Sequence, residues 1–549
     1  MFSDPVVGPN FFGRQEIVDI LIKRANGLKS GYRQNIAIIG HQQLGKSSIL
    51  RHFLHTYRDP SILSVYVEIK LQSLDYFVDQ FVRSLLFQYL IQSQNVAGPT
   101  DSLQTLLGLS EATIPKTVAK IKEISRCLKT RHADQAYNEL FELTSVIGAE
   151  TGKQCIVILD EFHRLGEFGI KNAFSDFGKR IMLQKNTMYL LSSSSFSASR
   201  KILAEKLALL FGNFERIYLE NFDFETSYGF IDAKLQPQSI SDNLKNYLVS
   251  FTDGHPFFLE TIVSRLREYS LASNKTSVDA SDIAEVFYRL FYESQGVLNQ
   301  YFMKLISPWT LARSRGKHVL ILTQIAKGTS KLKDIASWLN LTSKEVSSQI
   351  QELMEYELLV KTGVFYRFHN KIFKFWLREV YEKKELSLLG AEGNKDTFLE
   401  SVLLAIRDHD EIFAMEASER IKSLFREFRN DLVEIGEKKR QLPHFTELIM
   451  NGKDTADLFG SARNIVARGH GRCWVCKVVE ERATEREVLE LVNSSTPNSR
   501  EAHTKVLLAL AGMDDTAKLL AKEKKIFTLG LSRVNLLMDL YGQAPIVRR

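Results

Sequence analysis

The chain has 549 residues, of which 44% are hydrophobic and 25% charged, as in folded globular proteins rather than in long disordered segments. This length exceeds what one hydrophobic core supports, so we expect three or four domains. No apolar run approaches the ~20 residues that cross a bilayer, and the N-terminus lacks a secretion signal, so we expect a cytoplasmic protein with no membrane partner. The formal net charge of +7 is compatible with nucleic-acid contact but does not establish it.

Four cysteines are too few for a disulfide framework in a chain of this length. Cys473 and Cys476 form a CxxC pair, which could belong to a redox site or to half of a zinc site. No second Cys/His pair lies at a suitable spacing, and the residues between the two cysteines are apolar. We therefore predict a buried strand here rather than a metal site.

Short apolar strands alternate with amphipathic helices over residues 1–235, a pattern typical of a parallel sheet with helices on both faces. An α/β fold is therefore predicted for this region. Its strands are expected at 35–39, 61–69, 155–159 and 188–191, with a helix at 46–54 directly after the first strand. Two more helices are expected at 115–130 and 133–149, and the sequence leaves open whether they form an insertion or part of the helical layer.

The segment after the first strand carries the motif GxxxxGK[ST] at residues 40–47. Its glycines allow backbone N–H groups to surround a β-phosphate, and the following helix directs its positive dipole end to the same place. Its lysine would bridge the β- and γ-phosphates, and its serine hydroxyl would bind Mg²⁺. A glycine-rich turn with no ligand would have no reason to place Lys-Ser directly after the second glycine. The predicted contacts to Mg-ATP are Gly40, Gly45, Lys46, Ser47 and Ser48.

An acidic pair, Asp160 and Glu161, follows the apolar strand at 155–159. A pair in this position brings a carboxylate to the metal of a phosphate-binding site. We predict that Asp160 and Ser47 hold Mg²⁺ and that Glu161 polarises the attacking water. The alternative is a polar strand end with two solvated acids, which the phosphate-binding loop disfavours. Together with Lys46, the two acids are the predicted catalytic residues.

With both motifs in place, residues 1 to about 295 resemble the archaeal-type ATPases of the STAND class, which are related to AAA+ proteins. In that family an FxGR-type element cups the adenine with its backbone. Residues 11–14 fit the element, which implies nucleotide contacts from Gly13 and Arg14. The family also has a small serine-containing sensor of the γ-phosphate after the next strand. In the serine run at 192–195, Ser194 is the best-matched position.

The lid of this family carries a Gly-His-Pro element that reaches back to the nucleotide, and residues 254–256 resemble it. The resemblance implies that His255 and Pro256 couple the nucleotide state to the lid, although a His-Pro pair also commonly starts a helix. Members often have Phe-Gly-Arg before the lid, with an arginine that acts on a neighbouring subunit's ATP. This chain has Asn213 in that place and Arg216 as a substitute, so the sequence leaves open trans-activated hydrolysis and homo-oligomer formation.

A helix-turn-helix pattern at 331–356 precedes two short strands around residues 361–363, and this order predicts a winged helix. The exposed face of its second helix offers Lys344, Ser347 and Gln351, but also Glu345 and Glu352. The sequence therefore favours double-stranded DNA and a protein partner equally.

A linker is expected at 386–394, then long helices to about 441, then alternating strands and helices. Archaeal ATPases often end in a restriction-endonuclease-like domain, and the tail resembles that order. An active nuclease site of this kind needs an Asp and then Glu-x-Lys on one strand. Asp457 and Lys477 fit two of these places, but Val475 replaces the glutamate, and a frame shifted by two residues also lacks a carboxylate. We predict a nuclease-like fold without nuclease activity.

The full prediction is a P-loop NTPase parallel sheet at 1–235 with a helical lid at 236–295, a winged helix-turn-helix at 296–385 and a C-terminal α/β nuclease-like domain at 386–549. The favoured function is a switch that binds and hydrolyses Mg-ATP and signals through its appended domains. One alternative is an ATP-dependent DNA-handling protein of the origin-recognition or loader type, which the Gly-His-Pro element disfavours. Another is an adaptor that holds nucleotide without turnover, which the intact acidic pair disfavours.

Overall fold

The computed structural model describes residues 4–70, 73–93, 98, 101–207, 214–310, 316–386, 391–436, 438–450, 464–469, 471–494 and 502–546. The chain forms two compact units, residues 1–222 with 255–257, and residues 223–254 with 258–549. None of the described helices is long and apolar enough to span a membrane.

The first unit is built on a parallel sheet. Its strands are β1 (Asn35–Ile39), β2 (Ile62–Glu68), β3 (Gln154–Asp160), β4 (Thr187–Ser193) and β5 (Phe214–Tyr218). They lie in the order β2-β3-β4-β1-β5, and every neighbouring pair is parallel. All residues of β1 and β4 are buried, as expected for strands covered on both faces. The predicted α/β fold class with a parallel sheet is confirmed.

Helices cover both faces of this sheet. They are α1 (Gln15–Lys29), α2 (Lys46–Thr56), α3 (Leu74–Gln92), α4 (Leu103–Glu111), α5 (Pro115–Lys129), α6 (Ala133–Thr151), α7 (Ala173–Leu183) and α8 (Phe196–Lys201). Side chains alternate along β1, so Ile36 and Ile38 enter the core with α1 and α2, while Ala37 and Ile39 enter the core with α3. The second core also contains Ile121 of α5 and side chains of α6, so these two helices belong to the helical layer rather than to an insertion. Helix α4 was not predicted.

The second unit begins with helices and one short strand pair. Its elements up to residue 310 are α9 (Phe224–Leu235), β6 (Ser239–Ile240), α10 (Asp242–Thr252), α11 (Pro256–Ala272), β7 (Ser277–Val278), α12 (Ala280–Phe287) and α13 (Val297–Thr310). The first turn of α11 groups with the first unit. Strands β6 and β7 are parallel and join the two ends of a segment for which only helices were predicted.

A helical cluster with a hairpin follows. Its elements are α14 (Gly316–Ala326), α15 (Leu332–Leu339), α16 (Ser343–Glu355), β8 (Leu359–Thr362), β9 (Phe365–Phe368), α17 (Lys371–Trp376) and α18 (Glu382–Leu386). Helices α15 and α16 agree with the two predicted helices of the helix-turn-helix pattern. Helix α16 starts with a capping box, in which the side chains of Thr342 and Glu345 each accept a hydrogen bond from the other residue's backbone N–H. Strands β8 and β9 are antiparallel.

The rest of the second unit combines helices with a mixed sheet. Its elements are α19 (Ala391–Ala414), α20 (Ala417–Arg426), β10 (Leu432–Ile435), β11 (Lys438–Gln441), β12 (Glu447–Met450), β13 (Asn464–Gly469), β14 (Arg472–Val479), α21 (Glu485–Asn493), β15 (Ala502–Ala509), α22 (Asp515–Glu523), β16 (Phe527–Gly530) and α23 (Leu531–Leu540). The sheet order is β12-β13-β14-β15-β16, antiparallel from β12 to β14 and parallel from β14 to β16. Strands β10 and β11 form a separate hairpin.

Two predictions for residues 386–441 are wrong. The described parts of the predicted linker are helical, because α18 reaches Leu386 and α19 begins at Ala391. Residues after α20 form β10 and β11 rather than more helix. The cause is a period of two in β10, where Val433 and Ile435 enter the C-terminal core while the residue between them is exposed.

The CxxC pair lies inside the C-terminal sheet. Cys473 and Cys476 both belong to β14, and both are buried. The prediction of a buried strand is confirmed. Across the described ranges, no group of three or more His, Cys, Asp or Glu side chains is placed to hold a metal ion.

The turn of the β8–β9 hairpin packs against β10. The backbone N–H of Val364 donates to the carbonyl of Leu432 at 2.9 Å. Gly363 lies so close to β10 that a Cβ added there would be 2.6 Å from the Cα of Val433. Phe365, which follows in the hairpin, is buried in the same core as side chains of β10 and β14. The tip of this hairpin is therefore a packing surface within the second unit.

Gly363→Ala is expected to destabilise the second unit by about 2–5 kcal/mol, because it adds a steric clash to an unfavourable positive φ. All four tryptophans belong to this unit, so tryptophan fluorescence during chemical denaturation reports its unfolding. Gly471→Ala is the matched control, since Gly471 also has a positive φ but no atom lies within 4 Å of the added carbon. Equal losses in the two variants would show that hairpin docking contributes nothing.

Candidate active site

The loop between β1 and α2 contains both glycines of the GxxxxGK[ST] motif, and each is required for a different reason. Gly40 donates its N–H to the carbonyl of Ser193 at 3.2 Å. A Cβ on Gly40 would lie 2.8 Å from the carbonyl oxygen of Leu219, so no side chain fits there. Gly45 has φ +93° and precedes the first residue of α2, a backbone conformation that favours glycine. The loop is therefore held against the sheet and open at the helix N-terminus.

Lys46 is the first residue of α2 and is only 4% exposed. Its Nζ donates to the carbonyl oxygens of Gly40 and His41, both at 2.7 Å. The ammonium group thus lies inside the loop, on the side where backbone N–H groups and the helix dipole also favour an anion. This concentration of positive charge fits the phosphates of a nucleotide.

Asp160, at the end of β3, is 1% exposed and accepts hydrogen bonds from several hydroxyl groups. Ser47 Oγ donates to Asp160 Oδ2 at 2.6 Å, and Tyr66 Oη donates to the same oxygen at 2.8 Å. Ser192 donates to the other carboxylate oxygen. Burial, reinforced by the Asp160 carboxylate, raises the pKa of Tyr66, so its hydroxyl remains a donor. The Ser47 hydroxyl and the Asp160 carboxylate form an oxygen donor set of the kind that Mg²⁺ prefers.

Glu161, the next residue, is held in place by the segment after β4. Its Oε2 accepts hydrogen bonds from the backbone N–H and from the hydroxyl of Ser194, both at 2.8 Å. His163 Nδ1 lies 3.4 Å from the same oxygen and 2.8 Å from Ser193 Oγ. Glu161 has φ 61°, a left-handed conformation that is unfavourable for a residue with a side chain. Strained conformations of this kind are concentrated at functional sites.

The strand order explains why these groups meet. Strand β4 lies between β1, which leads into the glycine loop, and β3, which ends in the acidic pair. Three consecutive serines, the last two residues of β4 and Ser194 directly after it, therefore contact residues at or directly after the ends of both neighbouring strands. Ser192 donates to Asp160, the carbonyl of Ser193 accepts from the glycine loop, and Ser194 donates to Glu161.

The N-terminal segment packs against α2. The N–H of Val6 donates to Ser48 Oγ at 3.1 Å, and the N–H of Gly8 donates to His52 Nδ1 at 3.2 Å. The ring of Phe11 stacks on the His52 ring, with centroids 4.0 Å apart and planes within 4°. The predicted adenine-binding element is thus attached to the helix that begins at the phosphate loop.

Gly13 and Arg14 both have positive φ, at 67° and 61°. The Arg14 guanidinium lies 4.9 Å from the ring centre of Phe222 and donates to the carbonyl of Glu220. The FxGR element therefore connects α2 to the last residues of the first unit. Its contact with adenine remains a prediction.

The other residues predicted to act on the nucleotide do not come from β1, β3, β4 or the segments that directly follow them. His255 and Pro256 lie in the segment 255–257, which groups with the first unit, and Pro256 begins α11. Asn213 lies outside the described residues. Arg216 is exposed on β5, the edge strand, opposite Ala37 in the middle of β1, so it is not among the groups that meet at the strand ends.

The predicted remnant of a nuclease site lies in the C-terminal sheet. Asp457 is outside the described residues, and the residue opposite Lys477 in the antiparallel register is Asn464. Lys477 is 4% exposed and pairs with Glu490 of α21. Val475 is fully buried. The lysine is thus neutralised by a helix residue.

Three side chains of the first unit's site were not predicted: Tyr66, His163 and Ser192. Tyr66 comes from β2, which the sequence does not pair with β3. His163 lies only two residues after Glu161, and that spacing was a usable signal. Ser192 is the first residue of the serine run in which Ser194 is the predicted sensor.

Residues 10–172 match the family model described as the AAA ATPase domain, so this segment is assigned to that class of domain. Its bounds include the glycine loop and the acidic pair. No curated protein matches the sequence.

Among solved structures, the chain is similar to a Walker-type ATPase of Pyrococcus abyssi, with 18% identity over 69% of this chain and 99% of that one, at a TM-score of 0.46. It is also similar to the ORC2 protein of Aeropyrum pernix, with 13% identity over 74% and 97% of the two chains and a TM-score of 0.42. The ORC1 protein of the same organism, solved in complex with DNA, matches with 11% identity over 69% and 96%, at a TM-score of 0.39.

Proposed function

We propose that the chain is a STAND-type ATPase, a switch that binds Mg-ATP and hydrolyses it. The observation that carries the proposal is the hydrogen bond of 2.6 Å between Ser47 and Asp160, with Glu161 fixed beside them by Ser194. A phosphate-binding loop alone would indicate nucleotide binding. The hydrogen bond from the loop residue Ser47 to Asp160, with Glu161 held beside it, supports ATP hydrolysis as well as binding.

Each residue of the site has a role in this proposal. Lys46 binds phosphate oxygens, and Ser47 and Asp160 hold Mg²⁺, which when bound neutralises charge on the phosphates. Glu161 orients a water molecule and accepts its proton. Ser194 positions the Glu161 carboxylate, because it donates two hydrogen bonds to one oxygen of that group. The same contacts would let Ser194 act as a sensor of the γ-phosphate.

The switch requires that the nucleotide state reach the rest of the chain. We propose the domain division 1–235, 236–295, 296–385 and 386–549, with His255 and Pro256 as the contact of the lid with the nucleotide. The grouping of residues 255–257 with the first unit supports this role. The helix-turn-helix segment and the C-terminal sheet then transmit the change.

A DNA-handling function of the origin-recognition type is the second candidate, favoured by the helix-turn-helix segment. The docked hairpin argues against it, since the turn at Gly363 is packed against β10. Glu345 is used in the capping box of α16, and Glu352 lies 3.2 Å from His318. These contacts favour protein packing over DNA for this module. An adaptor without turnover is the third candidate.

The test is ATP turnover by the purified chain with and without double-stranded DNA, at two salt concentrations. We expect turnover that DNA leaves unchanged, because the hairpin tip is a packing surface. Stimulation by DNA with a steep salt dependence would instead support the DNA-handling candidate. Tight ATP binding with no turnover under either condition would support the adaptor.

A further inference from the structure

A cavity of about 290 Å³ is lined only by residues of the second unit. Its walls come from the α14–α15 turn, β9 and α17 on one side, and from residues 427–429 and the end of α23 on the other. This volume is close to the lower bound for small-molecule sites, which is about 300 Å³. The cavity can hold a small ligand but not a macromolecule.

The cavity is lined by cations and by aromatic rings. The cationic residues are Lys331, Arg367, Lys371, Lys374 and Arg429. The acidic ones are Asp334, Glu427 and Asp539. Phe365, Tyr366 and Tyr541 contribute aromatic surface. A site of this composition favours a ligand with an anionic group and an apolar or aromatic part.

The cations differ in how they are compensated. Lys331 and Lys371 each have a carboxylate partner that does not line the cavity, Asp431 at 2.7 Å and Asp253 at 2.8 Å. Arg367 and Arg429 have only long contacts with carboxylates of the cavity, at 3.7 Å and 3.8 Å. These last two guanidinium groups retain donors for another anion.

The ammonium group of Lys374 has no ion pair and donates no hydrogen bond within the part of the chain that the structure describes. The negative charge of Asp539 favours the charged form of Lys374, but the same carboxylate also interacts with Arg367. Burial, in the presence of Arg378 and Lys371, lowers the pKa of Lys374. An ammonium group that is partly removed from water and forms no ion pair is costly, so a ligand that supplies a negative charge is the simplest reason to keep it.

We propose that this cavity binds a small phosphate monoester, with its phosphate on Lys374 and Arg367 and its organic part against Tyr366 and Tyr541. Arg367 presents a fork of donors that suits phosphate oxygens. Because the walls belong to different elements, a bound ligand would connect β9 and α17 to the C-terminal helix α23. The second unit would thus have a ligand-binding site of its own, formed by other residues than the nucleotide site.

The test uses the full chain carrying Lys46→Ala, which removes the phosphate loop as a competing site. Phenyl phosphate is the probe, and its binding is measured by titration calorimetry. We expect one saturable site whose affinity falls roughly tenfold or more in Lys374→Met, because a charge-assisted hydrogen bond is lost. Lys333→Met is the matched control, since this lysine is exposed on α15 and does not line the cavity. Unchanged binding in Lys374→Met, or no saturable binding at all, would overturn the proposal.

A second measurement separates ligand binding from a structural role. Without ligand, Lys374→Met is expected to unfold at the same temperature as its parent or higher, because it removes a partly desolvated charge that forms no ion pair. In the parent, phenyl phosphate is expected to protect Lys374 from an amine-reactive reagent, read by mass spectrometry of the labelled peptide. Labelling that phenyl phosphate does not slow would contradict the proposal even if the variant failed to fold.

Discussion

Glu161→Gln is expected to lower ATP turnover by roughly 10²–10⁴-fold while leaving ATP affinity nearly unchanged. The amide keeps the shape of the side chain and can still accept a hydrogen bond from Ser194, but it cannot take a proton from water. Phosphate release measures turnover, and titration with a fluorescent ATP analogue measures affinity. Glu167→Gln is the matched control, because Glu167 is exposed and lies on the short 3-10 helix Phe162–Phe168 that directly follows Glu161.

Measuring both ATP turnover and ATP affinity distinguishes two ways in which this prediction could fail. Full turnover in Glu161→Gln would show that another group is the base, and His163, at 3.4 Å from the carboxylate, would be tested next. A parallel loss of affinity would mean instead that Glu161 organises the site through its bonds to Ser194.

Lys46→Ala is expected to weaken ATP binding by roughly two orders of magnitude. The substitution removes the ammonium group that would bind the phosphates, and it also leaves the carbonyls of Gly40 and His41 without their present donor. Affinity for ATP and for ADP is measured by calorimetry. Lys23→Ala, an exposed position on α1, serves as the control. Retained affinity would mean that the nucleotide binds elsewhere.

Much of the nucleotide site could be predicted because its residues are close in sequence to strand ends. An apolar strand followed by GxxxxGK[ST], and another followed by Asp-Glu, identify the site from local pattern alone. Tyr66 shows the limit of this approach. It reaches Asp160 only because β2 pairs with β3, and that pairing joins segments separated by 94 residues, from 66 to 160.

The C-terminal region shows a second limit. The sequence places Lys477 on a strand correctly, but the identity of its neighbours depends on register. The order of residues predicts Asp457 as the partner acid, and Asp457 lies outside the described residues; the antiparallel pairing puts Asn464 opposite the lysine. Similarly, Glu490 lies 13 residues further on, and only the packing of α21 brings it to Lys477. Spacing along the chain carries no information about either contact.

The division of the chain has a consequence for anyone who wants to study the ATPase part alone. The first unit is not continuous in sequence, because residues 255–257 group with it although they lie beyond the start of the second unit. A truncated protein that ends at Phe222, or at the predicted boundary of 235, would lack these residues. It is expected to keep the parallel sheet and to lose the contacts that residues 255–257 make with the rest of the first unit. A protein that ends after α11 retains them, so a fragment that contains the whole first unit ends well past β5.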